Sequence, residues 1–338
     1  MSDSRSSDAK TSERETSIAA EAMDLALTTI QPGGGIVMSI ELAWGRLRRW
    51  YLRKFRPGYV KRMLQTRQGH QGSLPFDPVD PRDIKYYRNQ DTYWWADADD
   101  PFQWRESLPF VRVGLAELLL LTSGFVLLAI LLGFLWWPLS LPALVVAGLI
   151  VWFFRNPKRQ IPALPGTIVS PADGRLVQIE SIDDPELGSC IQVGIFLSIF
   201  NVHANRVSLP GRVIAVRYRP GKFLNALRPE SARENENLDV TLEDTESVAA
   251  TAEMVGEALP IARKYRIRQI TGQFARRIVC WVRPGDVLLR GEMYGMIKLG
   301  SRTELVLPND GTLEITAKIG EKLKAGSSVI GQYKSPSR

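Results

Sequence analysis

Hydrophobic and polar positions are arranged in different ways along the chain and divide it into four regions. Residues 1–35 are Ser-rich and charged at their start and close with a Pro-Gly-Gly-Gly break, a pattern typical of a disordered tail. Residues 36–110 begin with a helical period and continue as a polar linker rich in Pro and Asp. Residues 111–154 are nearly all apolar, and residues 155–338 are short β-type runs separated by Gly, Pro and Asp. We therefore predict a tail, an N-terminal extension, an apolar hairpin and a C-terminal β domain.

The helical period that opens the extension predicts an amphipathic helix over residues 36–55. Aromatic and aliphatic side chains on one face, with arginines on the other, are typical of a helix that lies in an anionic membrane interface. The alternative is a helix packed against its own protein with a solvated basic face. The apolar face consists of Ile40, Trp44, Leu47, Tyr51 and Phe55, and the basic face of Arg46, Arg49, Arg53 and Arg56.

The apolar region predicts two helical arms that form a membrane hairpin. The first arm, residues 115–137, carries one charge, Glu117, and exceeds the roughly 20 helical residues that a bilayer core requires. Prolines then break the pattern, and the second arm, residues 143–154, is short for a full crossing. The alternative, a hairpin buried in a soluble core, would require an unusually long run with one charge. Basic residues place both ends on the cytoplasmic side, namely Arg112 before the hairpin and Arg155, Lys158 and Arg159 after it.

The C-terminal region predicts an α+β fold in which a mainly antiparallel β domain follows the helical hairpin. Residues 245–264 interrupt the β rhythm with an Ala- and Glu-rich segment, which indicates a helix or an inserted arm. The predicted strands are residues 167–170, 175–181, 190–199, 212–219, 240–243, 267–270, 277–282, 296–299, 303–307 and 311–319.

Composition restricts the partners and the chemistry. The net charge of +7 indicates an anionic partner, and because the basic residues cluster beside the apolar region, we expect a membrane and not a nucleic acid. Cys190 and Cys280 form no metal-ligand spacing and no disulfide framework. The chain has two histidines, which argues against a histidine-based metal site, and we predict no metal.

Three stretches of the β domain carry residue types that could act together in catalysis. The turn Ser170-Pro-Ala-Asp-Gly174 contains Asp173, the stretch 196–206 contains His203, the only histidine of the domain, and Gly300 precedes Ser301 between two predicted strands. Serine, histidine and aspartate are the nucleophile, base and orienting group that activate a hydroxyl. Each stretch alone is more often structural, since Gly-Ser and Asp-Gly are common turn sequences. The residue types alone do not establish that the three meet.

Seven short motifs follow one another along this domain. They are Arg155-Asn-Pro, Val169-Ser-Pro-Ala-Asp-Gly, Asn201-Val-His-Ala-Asn-Arg, Pro220-Gly-Lys-Phe-Leu-Asn-Ala, Glu234-Asn-Glu-Asn, Gln269-Ile-Thr-Gly-Gln-Phe-Ala-Arg-Arg-Ile and Gly291-Glu-Met-Tyr-Gly-Met-Ile-Lys-Leu-Gly-Ser-Arg-Thr-Glu-Leu-Val-Leu-Pro. Over residues 152–320 this series resembles the phosphatidylserine decarboxylase family, in that family's order and approximate spacing. The apolar hairpin before the domain resembles the short bacterial and archaeal branch of that family.

The resemblance implies a self-cleaving proenzyme. Ser301 would attack the carbonyl of Gly300, and the chain would divide into a β subunit, residues 1–300, and an α subunit, residues 301–338, that begins with a covalent pyruvoyl group. That group would accept the amine of phosphatidylserine and act as an electron sink during loss of CO₂, giving phosphatidylethanolamine in phospholipid biosynthesis. His203 would be the base and proton donor, and Asp173 would orient it.

The resemblance also suggests Arg206, Lys222 and Arg302 as substrate-binding residues. Members of the long branch of the family carry a second histidine where this chain has Arg206, so either His203 serves both cleavage and decarboxylation, or Arg206 binds a phosphate or carboxylate. The expected location is the inner membrane, with the catalytic domain on the cytoplasmic side. Whether the enzyme is a homodimer stays open.

Two other functions remain open from the sequence. The β domain could be a membrane-tethered binding or carrier module without chemistry, although no lysine occupies the turn tip that a carrier domain would need. The same fold could also decarboxylate another aminophospholipid, for example one with ether-linked chains, because the headgroup carries the reaction.

Overall fold

The computed structural model describes residues 18–23, 27, 30–66, 68–69, 93–94, 97–99, 104, 107–226, 228, 230–247, 263–273, 277–298 and 300–334. Most of the predicted tail, most of the linker after residue 66 and the centre of the 245–264 segment lie outside the described residues. The β domain, the hairpin and the amphipathic helix are described almost completely.

The extension begins with two consecutive helices, α1 (Ile36–Phe55) and α2 (Pro57–Gln65). The proline at the first position of α2 suits a helix start because its missing N–H would have no partner there. The apolar side chains of α1 are largely exposed, with Trp44 at 53% and Phe55 at 55% of their full accessibility. This face therefore does not pack against the described part of the chain, which favours the interfacial interpretation of the sequence.

The hairpin consists of α3 (Leu115–Leu135) and α4 (Ser140–Phe153), joined by a short 3-10 turn at Trp137–Leu139. Another 3-10 turn, Arg112–Gly114, leads into α3, and together they form the one helix in the described residues that is long and apolar enough to cross a membrane. Most leucines of both helices are exposed, whereas the base of the hairpin, including Phe153 and Phe154, is buried against the β domain.

The β domain contains one large sheet and two small ones, and all their strand pairs are antiparallel in the described residues, as predicted. The linker contains a separate pair, β1 (Gln68–Gly69) and β2 (Tyr93–Trp94), and a one-turn helix lies at Ser231–Glu234. The strands of the β domain are β3 (Thr167–Val169), β4 (Gly174–Asp184), β5 (Gly188–Leu197), β6 (Ala204–Arg206), β7 (Gly211–Arg219), β8 (Asn237–Asp244), β9 (Lys264–Thr271), β10 (Arg277–Cys280), β11 (Val287–Leu288), β12 (Met293–Lys298), β13 (Ser301–Pro308), β14 (Leu313–Ile315), β15 (Lys322–Leu323) and β16 (Val329–Tyr333). Their order is β11-β7-β8-β9-β13-β5-β4-β15 in the large sheet, and β10-β12-β6 and β14-β16-β3 in the small ones.

The two parts of the core have different positions. The main core lies between the sheets and contains alternate residues of the central strands, such as Val193, Ile195, Ile267 and Leu305. A second cluster joins the base of the hairpin to the small sheet of β10, β12 and β6. The hairpin is therefore fixed to the sheet that carries the Met-Ile-Lys stretch before Gly300.

Part of the predicted disordered tail is instead ordered against the β domain. Leu27 belongs to the main core, and Ile30 belongs to the cluster at the base of the hairpin. The backbone carbonyl of Ile30 also accepts a hydrogen bond from the N–H of Cys280 at 2.9 Å. The prediction was wrong for these residues because it extended the polar composition of the first 17 residues over the more apolar segment 18–30, from which Leu27 and Ile30 are buried in the fold.

Candidate active site

The Gly300–Ser301 step lies where the chain passes from the small sheet to the large one. Strand β12 pairs with β10 and β6, whereas β13, which starts at Ser301, pairs with β5 and β9. Gly300 makes this passage with φ of 63°, in the left-handed region where a side chain would be strained. Glycine thus allows the sharp change of direction and leaves the Gly300 carbonyl without a neighbouring Cβ.

Ser301 is fully buried in the centre of the large sheet. Its backbone lies between Leu197 of β5 and Thr271 of β9. Its Oγ has no hydrogen-bond partner among the residues that the structure describes. A buried hydroxyl without a partner is costly in a folded protein, so an unpartnered serine beside a left-handed glycine indicates a functional site.

His203 lies directly beside this step, at the end of the loop between β5 and β6. Its Nε2 accepts a hydrogen bond from the N–H of Gly300 at 3.2 Å, and its Nδ1 is 2.9 Å from the carbonyl oxygen of Asn201. A ring that accepts at Nε2 and donates at Nδ1 is a neutral imidazole. The ring of Phe153, from the hairpin, packs on His203 with centroids 4.4 Å apart.

Burial controls the protonation of this histidine. Loss of solvent lowers the pKa of His203 to about 4; the hydrogen bond to Asn201 opposes this, and the positive charge of Arg155 adds to it. The imidazole is therefore neutral at physiological pH and keeps a lone pair on the nitrogen that faces Gly300. Such a group can act as a base without first losing a proton.

The structure corrects the predicted contact between Asp173 and His203. Both ring nitrogens of His203 already have backbone partners, and the carboxylate of Asp173 is held elsewhere. Arg159 donates to its two oxygens at 2.7 and 2.9 Å, and the N–H of Ala325 donates at 2.8 Å. Asp173 therefore does not orient the imidazole directly, because two other elements of the fold occupy its acceptors.

Arg302, one residue after the serine, is directed away from the site. Successive side chains of a strand point to opposite faces of the sheet, so Ser301 and Arg302 cannot face the same ligand. Arg302 is buried and donates to Glu304 at 2.8 Å and to the side chain of Gln178. The prediction that Arg302 binds substrate is wrong for this geometry.

The two other predicted substrate ligands also have partners within the fold. Lys222 is exposed and pairs with Glu234 at 2.7 Å on the surface. Arg206 donates to the carbonyl of Gly291 at 2.7 Å and to Asn156 at 3.0 Å. Both side chains thus already have partners within the protein, and the motifs alone do not reveal these contacts.

A buried polar chain behind the serine was missed by the sequence reasoning. The amide of Asn205 donates to the hydroxyl of Thr303 at 3.0 Å, and Gln269 donates to Asn205 at 2.9 Å. Thr303 lies on the same face of β13 as Ser301, so these side chains form the floor of the site. Asn205 and Gln269 both occur in the motifs quoted above, but motif membership gave no sign that they meet.

Gly272 packs closely against the scissile residue. A Cβ built on Gly272 would lie 2.4 Å from the carbonyl oxygen of Gly300. Only glycine leaves room for that oxygen at this position. The glycine of the Ile-Thr-Gly stretch therefore shapes the pocket of the carbonyl that the serine would attack.

A cavity of about 540 Å³ lies between the hairpin and the β domain beside the site, and we name it the hairpin cavity. It adjoins the scissile step because Phe153 packs on His203 and because Ile199 is the side chain nearest to a Cβ built on Gly300, at 4.0 Å. Its lining residues are Gln31, Ile36, Glu117, Leu121, Val146, Leu149, Ile150, Trp152, Phe153, Phe154, Ile199, Phe200, Arg277 and Lys298.

The described residues contain no cluster of histidine, cysteine, aspartate and glutamate that could hold a metal ion. The chemistry available from the chain is that of a serine hydroxyl, a glycine carbonyl with no side chain beside it and a neutral imidazole on the same backbone step. This set suits attack of the hydroxyl on the adjacent carbonyl.

Comparison with known proteins gives a consistent result. Residues 146–331 match the sequence model of the family described as phosphatidylserine decarboxylase. A phosphatidylserine decarboxylase proenzyme of Rhodopirellula baltica is 64% identical over 250 residues, which cover 74% of this chain and 99% of the relative. Proenzymes of the same name are 39% identical over 194 residues in Chlorobaculum parvum (57% of this chain, 82% of the relative) and 34% identical over 230 residues in Desulfotalea psychrophila (68% and 95%).

Proposed function

The chain belongs to the phosphatidylserine decarboxylase family, and on that premise we propose that it is a proenzyme that cuts itself between Gly300 and Ser301. The mature enzyme removes the carboxylate of phosphatidylserine as CO₂ and leaves phosphatidylethanolamine. The observation that carries the proposal is the buried, unpartnered hydroxyl of Ser301 next to a left-handed Gly300 whose N–H is held by His203.

Self-cleavage begins when the Oγ of Ser301 attacks the carbonyl carbon of Gly300. The Gly300–Ser301 amide becomes an ester on Oγ, and the amide nitrogen becomes a free amine. Removal of the α-proton of residue 301 then expels Gly300 as a carboxylate, and water releases the nitrogen as ammonia. Residue 301 ends as a pyruvoyl group at the start of the α subunit.

The residues around Ser301 fit such a group. The hydroxyl of Ser301 is buried without a hydrogen-bond partner among the described residues, and the floor of Asn205, Gln269 and Thr303 supplies uncharged polar groups, which supports this part of the proposal. The pyruvoyl group supplies an electron sink for the carbanion that remains when CO₂ departs. No external cofactor is then required for the reaction.

His203 serves as the proton-transfer group of both reactions in this proposal. Its neutral Nε2 faces the backbone of Gly300, and a small rotation would bring it toward the hydroxyl or the α-proton of residue 301. After decarboxylation the same nitrogen can return a proton to the carbanion. The Nδ1–H bond to Asn201 keeps the ring in the tautomer that this role needs.

Asp173 takes a positioning role in place of direct orientation. It ties the turn Ser170–Gly174 to Arg159 and Ala325. In the same turn, the carbonyl oxygen of Pro171 accepts a hydrogen bond from the backbone N–H of Arg206 at 2.9 Å. Because Arg206 ends the strand that follows His203, we propose that Asp173 fixes the histidine through the backbone, and that Arg206 is part of this frame.

The substrate reaches the site from a membrane. The exposed leucines of the hairpin suit a bilayer, and α1 presents exposed aromatic residues beside arginines that attract anionic lipid. The basic residues on both sides of the hairpin favour insertion from the cytoplasmic side of the inner membrane, with the β domain in the cytoplasm.

The intact mass of the purified protein tests this function. Wild type should consist of two pieces, residues 1–300 and residues 301–338, and the smaller piece should begin with a keto acid. Ser301→Ala should remain one inactive chain, because the methyl group cannot attack. Ser189→Ala is the matched control, an exposed serine in a neighbouring strand, and should be cut normally. An uncut wild type that releases CO₂ from phosphatidylserine, or a cut Ser301→Ala, would refute the mechanism.

A further inference from the structure

The turn that follows β5, residues 198–201, carries two apolar side chains at an exposed tip, and we name it the apolar turn. Its ends are tied together, because the N–H of Asn201 donates to the carbonyl of Ser198 at 3.0 Å and the two side chains are hydrogen-bonded at 2.7 Å. The tip consists of Ile199 and Phe200, which are 47% and 59% exposed. Turn tips that face water are usually glycine or polar residues. A fixed turn that presents an isoleucine and a phenylalanine therefore indicates a surface that contacts something apolar.

The apolar turn is attached to the C-terminal end of α4. The carbonyl oxygen of Phe200 accepts hydrogen bonds from the indole N–H of Trp152 at 3.3 Å and from the guanidinium of Arg155 at 2.9 Å. That guanidinium also lies over the ring of Trp152, 3.9 Å from the ring centroid. Two donors from one short segment thus fix the turn beside the base of the hairpin.

This end of α4 has the composition of a membrane–water boundary. A tryptophan suits the headgroup level because its ring is apolar and its N–H is polar, and a neighbouring arginine can extend its charge toward water. The exposed Leu149 and Val146 lie about one and two helical turns nearer the tip of the hairpin. Both line the hairpin cavity together with Ile199 and Phe200. The apolar turn and the hairpin therefore form one continuous apolar surface.

The apolar turn also adjoins the reacting step. The side chain of Ile199 lies 4.0 Å from a Cβ built on Gly300, although Ile199 is itself half exposed. At the end of the turn, the carbonyl oxygen of Asn201 is 2.9 Å from Nδ1 of His203. At this point a single side chain separates Gly300 from the surface of the molecule, so the depth of the turn in any apolar phase sets the depth of the reacting step.

A lipid bilayer is the partner that this continuity favours. A protein bound to the apolar turn would also have to cover the adjacent face of the hairpin, and the first helix of that hairpin is long and apolar enough to cross a membrane. The carbonyl of Phe200 and the side chains of Ser198 and Asn201 already have hydrogen-bond partners. Entry of the tip into lipid would therefore remove apolar surface from water without breaking these bonds.

We propose that Ile199 and Phe200 insert into the cytoplasmic lipid interface and hold residue 301 at the depth of the substrate headgroup. The amine of phosphatidylserine then meets the reacting residue without the lipid leaving the bilayer. The proposal rests on the membrane location given under the proposed function. It adds a second membrane contact, next to the reacting residues, that the hairpin alone does not supply.

Depth-dependent quenching of a fluorescent label tests the proposal. The native Cys190 and Cys280 are buried, so a nitrobenzoxadiazole label should react with one introduced cysteine of the folded enzyme. The enzyme is reconstituted in vesicles of phosphatidylglycerol and phosphatidylcholine whose chains carry bromine either near the headgroups or near the bilayer centre. The labelled variants are Phe200→Cys, Leu127→Cys in the middle of α3 and, as the control, Val287→Cys, an exposed apolar residue at the far end of the large sheet.

The label at Phe200 should be quenched at least about twofold more by the shallow bromines than by the deep ones, since interfacial side chains lie roughly 5–10 Å into the boundary between headgroups and chains. The label at Leu127 should show the reverse order, and the label at Val287 should be quenched by neither. A Phe200 label that neither lipid quenches, or that the deep bromines quench more, overturns the proposal. So does a Phe200 label whose emission depends on protein concentration and not on lipid, which would indicate contact with a second copy.

The kinetics of Phe200→Ser supply a second test without a label. Its kcat/KM for phosphatidylserine in vesicles should fall by about threefold or more, whereas kcat/KM for water-soluble dihexanoyl phosphatidylserine and the rate of self-cleavage should stay within about twofold of wild type. Phe200→Trp should keep the activity on vesicles, because tryptophan also suits the interface. Val287→Ser is the matched control and should match wild type on both substrates. An equal loss on both substrates in Phe200→Ser would overturn the proposal.

Failure of the proposed function gives different results. A label at Leu127 that no lipid quenches would refute the membrane location of the hairpin, and a wild type that is uncut and releases no CO₂ would refute the decarboxylase. Quenching of the label at Phe200 is read on the same reconstituted chain in either case, and it decides the lipid contact of the apolar turn by itself.

Discussion

The two faces of strand β13 use polar residues in opposite ways. On one face, Ser301 is buried with an unpartnered hydroxyl, above a floor of uncharged amide and hydroxyl groups. On the other face, Arg302 and Glu304 are buried as an ion pair, with Arg268 3.6 Å from the same carboxylate. Adjacent residues of one strand therefore serve chemistry and structure separately. A polar group available for reaction is one that the fold leaves without a partner, whereas a charge that already has its partners is used to hold the sheet.

The largest effect should come from removing His203, the proposed base on the face of β13 that carries Ser301, which we call the reactive face. His203→Ala should slow self-cleavage and any remaining decarboxylation by about 100- to 10,000-fold, because His203 is the titratable group that hydrogen-bonds the Gly300 backbone. Pulse synthesis in a cell-free system followed by gel electrophoresis measures cleavage, and release of labelled CO₂ measures decarboxylation. Normal turnover in this variant would remove His203 from the mechanism.

Breaking the ion pair on the opposite face should affect stability and not chemistry. Arg302→Met leaves the buried Glu304 with its more distant partner Arg268, which should lower the free energy of unfolding by about 3 kcal/mol. The precursor that does fold should still cut itself at a rate within about twofold of wild type. Thermal unfolding and the cell-free cleavage assay separate these effects. A folded Arg302→Met protein that fails to cut would show that the two faces are not separate, and Lys322→Met supplies the exposed control.

The difference between the two faces also explains what the sequence could predict. The antiparallel β domain, the hairpin and each predicted strand have counterparts in the structure, because alternation and apolar length are local signals. The short strands Ala204–Arg206, Val287–Leu288 and Lys322–Leu323 were missed, since two or three residues carry no measurable period. The longer strand Val329–Tyr333 was missed as well. Gly300, Ser301 and His203 do come together, as the ordered motifs suggested.

The remaining site residues depended on contacts between distant parts of the chain. Asp173 and Arg206 are held by Arg159, Asn156 and Gly291, and no local pattern reveals such pairing. The wrong prediction that Arg302 binds substrate could have been avoided, because the alternation of side chains along a strand already puts Arg302 on the face opposite Ser301. Residue type and motif membership thus identified the candidate reacting groups. Which polar groups remain available for reaction depends on their hydrogen-bond and ion-pair partners in the fold, which the sequence does not show.

The smallest expected effect is the change of the cleavage rate with pH, and it tests the reactive face most specifically because it depends on the protonation of His203. With its pKa lowered to about 4 by burial, His203 should be about nine-tenths neutral at pH 5, so cleavage should change by less than twofold between pH 7 and pH 5. The neutral fraction of an ordinary histidine, with a pKa of about 6.5, would fall by about 25-fold over the same range. Because the folded pKa lies below the unfolded one, stability from this group is complete above about pH 6.5 and is lost toward pH 4, so the unfolding temperature should fall across that window.

Phe153→Ala makes the pH test sharper, because the ring of Phe153 shields His203 from solvent at the base of the hairpin. Admission of water should raise the pKa of His203 toward its ordinary value and give a decline in cleavage rate between pH 7 and pH 5 that wild type lacks. The comparison variant is Phe55→Ala, an exposed aromatic residue of α1, which should keep the flat profile. A wild-type rate that already falls with a midpoint near pH 6.5 would mean that the imidazole is solvated before cleavage, and the reactive face would then owe its chemistry to the position of His203 and not to its burial.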